Sequence, residues 1–72
     1  MIKAKTKNGT EVYCALTEDV YPNIGGYYVE VCWTELLDSF DNFCVHPYDC
    51  DCSNSDSVEE YVKKVVSGID EY

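Results

Sequence analysis

Three of the five cysteines and the single histidine of this 72-residue chain fall within the stretch Cys44-Val45-His46-Pro47-Tyr48-Asp49-Cys50-Asp51-Cys52. Cysteine thiolate and imidazole nitrogen are the ligands that borderline-soft Zn²⁺ prefers, and a structural site closes them into a Cys₃His or Cys₂His₂ tetrahedron. Cys44, His46, Cys50 and Cys52 are therefore the candidate metal ligands, and zinc is the expected cofactor. Cys44 and His46 stand two apart, which on an extended strand places both on one side. Pro47 bends the chain, so Cys50 and Cys52 can return to complete the shell. Cys32 is a reserve ligand, and Cys14, on the apolar side of its strand, reads as a small hydrophobe. The spacing C-x-H-x₃-C-x-C is not the paired C-x₂-C pattern, so free thiols and a disulfide from Cys50 or Cys52 stay open beside zinc. A filled shell leaves no position for water, and such a site would clamp structure rather than catalyse.

Other chemistries fit less well. Asp49, Asp51, Ser53, Ser55, Ser57 and Glu60 imitate the offsets of a calcium loop, but Asn54 stands where that loop needs glycine and His46-Pro47-Tyr48 supplies no entering helix. A Cys–His nucleophile pair needs a lowered thiol pKa and a cleft, whereas carboxylates nearby raise a thiol and a chain this short has little room for a cleft. No enzyme is expected. Gly25-Gly26 reads as a turn before a strand, not a phosphate cradle, and Asn8-Gly9-Thr10 as a hairpin turn rather than a glycosylation site.

Charge gives the second candidate site. Fourteen acids face five lysines, for a formal net charge of −9, while 46% of the residues are apolar. Positions 8–62 contain no lysine or arginine but hold twelve of the fourteen acids. Nucleic-acid affinity comes largely from Lys and Arg neutralising phosphates, so direct nucleic-acid binding is not expected and the implied partner is a basic protein surface. Glu30, Glu35, Asp38, Asp41, Asp49, Asp51, Asp56, Glu59 and Glu60 are the candidate partner-binding residues. Seven tyrosines exceed what a core this small holds, so some among Tyr21, Tyr27, Tyr28 and Tyr48 should be exposed beside these carboxylates, as anchors at an interface are.

The elements that must position these groups are legible from periodicity. Ile2, Ala4 and Thr6 alternate with Lys3, Lys5 and Lys7; Asn8-Gly9 follows, then Val12, Cys14 and Leu16 alternate with polar neighbours. This predicts a β-hairpin on a type I′ turn, with the lysines blunting an outer strand. After a loop over 17–26, residues 27–34 predict a third strand with Val29, Val31 and Trp33 facing the core. Residues 43–46 are a short fourth. Val58, Tyr61, Val62, Val65, Val66 and Ile69 recur at three and four, which predicts a helix opened by a Ser57–Glu60 capping box and stopped near Gly68. The expected fold is one α+β domain over 1–72: a three- or four-stranded antiparallel sheet with one C-terminal helix packed on one face.

A domain of this size buries only roughly 60% of its unfolded surface, so a staple is expected and the cysteines are its candidates. The opening Met1-Ile2-Lys3-Ala4-Lys5 carries no apolar signal core and no stretch is long enough to span a bilayer. The expected setting is the cytoplasm, away from membranes. Small size, strong acidity and a sheet-plus-helix layout together resemble the type II-A anti-CRISPR proteins, and the Cys44/His46/Cys50/Cys52 cluster resembles a metal-bearing member of that group. The resemblance implies a non-enzymatic phage or mobile-element inhibitor. Acting in a host bacterial cell, it would bind a basic surface of Cas9 or its guide-RNA complex and block target DNA. Anti-CRISPR proteins share no common motif, so no residue role carries over. Lys3, Lys5 and Lys7 also depart from a uniformly acidic DNA mimic. A zinc-stabilised interaction module for another basic host protein is the alternative.

Overall fold

Alternation of apolar and polar residues makes the strands, and a three-and-four repeat makes the helix. The computed structural model describes residues 1–18, 25–35 and 38–70. In chain order it contains β1 (Ile2–Lys5), β2 (Glu11–Glu18), β3 (Tyr27–Cys32), β4 (Ser39–Val45) and α1 (Ser55–Val66). The strands form one antiparallel sheet in the order β1-β2-β3-β4. α1 packs on one face, with its closest approach at β1. No helix among the described residues is long and apolar enough to cross a membrane.

The first hairpin forms where expected but turns differently. Ile2 pairs with Cys14 and Ala4 with Val12. The Thr6 amide donates to Thr10 O at 3.0 Å and the Gly9 amide to Thr6 O at 2.9 Å, with Gly9 at φ +84°. The loop is therefore 7–9, the three-residue form with glycine in the left-handed position, not the two-residue type I′ turn. The reason is register. A two-residue loop at Asn8-Gly9 would pair Lys5 with Val12 and Lys3 with Cys14, turning lysines onto the core face.

Pairing continues with Leu16 opposite Val29, Cys14 opposite Val31, and Phe43 and Val45 opposite Val29 and Tyr27. Ala4, Val12, Cys14, Val29, Val31 and Val45 meet Val58, Val62 and Val66 of α1 in the buried core. Between Val31 and Cys32 the register slips: Val31 faces Asp41, yet Cys32 faces Ser39. Phe40 is the extra residue of a β-bulge. The third strand thus stops at Cys32, and the Trp33 amide closes the connection to β4 by donating to Asp38 O at 3.0 Å. β4 is longer than the 43–46 stretch expected.

The helix begins one turn earlier than the capping-box reading. Asn54 is the N-cap, and its side-chain oxygen accepts from the Asp56 and Ser57 amides at 2.9 and 3.3 Å. Asn is as strong a cap as Ser, and starting there adds a hydrogen-bonded turn. Its C-cap is Ser67, just before the expected stop. Beyond it, the Lys7 amide donates to Ile69 O at 3.2 Å, tying the tail to the hairpin. Gly26, at φ +103°, lies so close to the Val45 backbone that a Cβ there would overlap it. Glycine at this position is thus a matter of close approach as well as turning.

Candidate functional site

β4 and α1 hold the cysteine–histidine segment between them. Side chains alternate along β4, so buried Val45 faces α1 while Cys44, paired across from Tyr28, is exposed on the other face of the sheet. Cys50 and Cys52, in the loop over 46–54, pack half-buried against the core on the α1 side. Burial, the Cys52 thiol and the Asp49 and Asp51 carboxylates push the Cys50 thiol up. All five cysteines are free.

His46 is engaged locally. Its ring stacks on Tyr48, with centroids 5.1 Å apart and planes 13° apart. Its Nδ1 lies 3.2 Å from the Tyr48 hydroxyl and 3.7 Å from Asp49 Oδ2. The same Asp49 oxygen accepts the His46 amide at 3.0 Å, and the Asp49 amide donates back to His46 O at 2.8 Å. Next along, Asp51 accepts from the amide and hydroxyl of Ser53, which holds its carboxyl below the usual range. Of the four expected ligands, the fold brings Cys50 and Cys52 together and turns Cys44 to the opposite face. Among the described residues no three His, Cys, Asp or Glu side chains are grouped to hold a metal ion. Cys32 is fully buried at the other end of the sheet, its thiol 3.8 Å from Glu30 O.

The candidate carboxylates are spread over β3, β4, the connections around β4, and α1. Glu35 and Asp38 flank the connection into β4, Asp41 is on β4, Asp49 and Asp51 are in the loop, and Asp56, Glu59 and Glu60 are on the first turns of α1. All are exposed, and Glu30 on β3 is half-exposed. Of the lysines, Lys3, Lys5 and Lys7 lie along β1 and its turn, and Lys63 and Lys64 lie in the last turn of α1, where Lys64 shares a cleft with Asp51 and Glu60. Ion pairs join Lys7 to Asp70 at 3.6 Å and Lys63 to Glu59 at 3.8 Å. Among the described residues, none reaches Glu35, Asp38, Asp41, Asp51, Asp56 or Glu60. Tyr48 is 79% exposed and Tyr28 36%, while Tyr27 is half-buried; Tyr21 lies outside the described residues.

One constellation was not legible in the sequence. Trp33, read as a core residue, stands just past the end of β3 and stacks on the bulged Phe40, with ring centroids 3.8 Å apart and planes at 16°. These two rings, Asp41 and Asp70 line a cavity of about 460 Å³. The bulge that swings Phe40 under Trp33 has no single-residue signature. Comparison with protein-family models, curated proteins and solved structures found no match to this chain.

Proposed function

We propose that this protein is a non-enzymatic inhibitor that binds a basic protein surface through its exposed carboxylates. The resemblance to type II-A anti-CRISPR proteins makes Cas9, or its guide-RNA complex in the host cytoplasm, the first partner to test. One observation carries the reading: among the described residues no lysine pairs with Glu35, Asp38, Asp41, Asp51, Asp56 or Glu60, so these exposed carboxylates stay unneutralised. Such a field steers a basic partner and speeds association. Cas9 holds nucleic acid in a positively charged channel, where an acidic protein competes with the target strand. Zinc enters this reading only through Cys50 and Cys52, since a closed shell would require Cys44 and His46 to be brought to them.

The test is a DNA-binding assay of guide-loaded Cas9 with stoichiometric protein at low and high salt. Loss of the Cas9–DNA complex at low salt, relieved at high salt, is expected. An undisturbed Cas9–DNA complex at both salts overturns the Cas9 assignment.

A further inference from the structure

We infer that the Trp33–Phe40 cavity is an arginine-side-chain site, the anchoring point for a basic protein partner. The inference rests on the proposed function for the source of the arginine, but not for its chemistry. Trp33 and Phe40 are half-buried and stacked, offering an aromatic surface, and Asp41 and Asp70 set carboxylates in the same cavity. At about 460 Å³, the space falls in the range of ligand-binding clefts. Aromatic faces attract cations through the ring quadrupole, and carboxylates beside them accept hydrogen bonds. Guanidinium meets both demands at once. It is planar, weakly hydrated, stacks on rings and presents a fork of donors, whereas the compact, strongly hydrated ammonium of lysine does not. Tryptophan and arginine are also the residues on which interface energy concentrates.

Among the described residues, the polar neighbours of these carboxylates are the Asn42 amide and Lys7. Asp41 Oδ1 accepts the Asn42 amide at 2.8 Å, and Lys7 Nζ stands 3.6 Å from Asp70 Oδ1 with both side chains mostly exposed. Lys7 is thus a weak internal competitor for the incoming cation.

Trp33 is the only tryptophan, so its fluorescence reads this cavity alone. The probe is a blocked Gly-Arg-Gly peptide, titrated beside the same peptide carrying citrulline, the neutral isostere, and one carrying lysine. A saturable Trp33 response to the arginine peptide, with little from the other two, is expected. Asp41→Asn/Asp70→Asn should weaken it about fivefold with an unchanged circular dichroism spectrum, and Lys7→Ala should tighten it. An equal response to citrulline or lysine, or an unaltered affinity in the double Asn variant, overturns the proposal. No Cas9 is present, so this outcome is separate from that of the DNA-binding assay. A cavity that binds arginine with Cas9 unaffected overturns only the Cas9 assignment, and inhibition that survives the double Asn variant overturns the cavity's role as the partner's anchoring point.

Discussion

Five chemically identical thiols acquire different properties from their positions. Cys14 is wholly inside the core, where burial, with a smaller contribution from Cys32, pushes its pKa from 9.0 to about 11. The folded state therefore holds the Cys14 proton more tightly than the unfolded chain. The associated stability is fully present below about pH 9 and is lost as pH rises towards about 11. Thermal melts across this window should show a falling midpoint, with a shallower fall in Cys14→Ala than in the parent; equal slopes would remove Cys14 as the cause. Cys14, Cys32 and Cys44 sit on strands as the alternation implied, and Cys50 and Cys52 sit in the loop after β4. Whether ligands converge is a different matter, because strand parity put Cys44 and Val45 on opposite faces and Val45 took the core side.

Local preferences compete within each element, and the winner is the choice that serves the core. Two caps were available to the helix, Asn54 and Ser57, and only Asn54 accepts the first-turn amides. Asn54→Ala should cost about 1 kcal/mol in urea unfolding, while Ser57→Ala should stay within about 0.5 kcal/mol. The reverse order would restore the Ser57–Glu60 box. The hairpin shows the same rule, since Asn8-Gly9 favours a two-residue turn but the three-residue loop keeps Ile2 and Ala4 inward. The edges are blunted as well. Lys3, Lys5 and Lys7 accompany β1, and on β4 the Asn42 amide is taken up by the Asp41 carboxylate.

For the whole molecule, a net charge of −9 on 72 residues sets two salt effects of opposite sign. Self-repulsion among carboxylates opposes the compact state, so added salt should raise the melting midpoint, by on the order of 1 kcal/mol or roughly 4–8 °C. The same screening should weaken binding to a basic partner. A midpoint that is flat or falling with salt would mean that the carboxylates do not repel one another appreciably in the fold.

The sequence by itself determined the class of fold, the sheet-plus-helix layering, the core valines and the excess of negative charge. Those follow from period, composition and sign, which are properties of residues taken along the chain. Tertiary structure alone decided which cysteines meet, where the lysines lie relative to the carboxylates, and the union of Trp33, Phe40, Asp41 and Asp70. These depend on one register slip, one cap and the order of four strands. Each is settled by the packing of distant residues against one another, which no window of sequence contains.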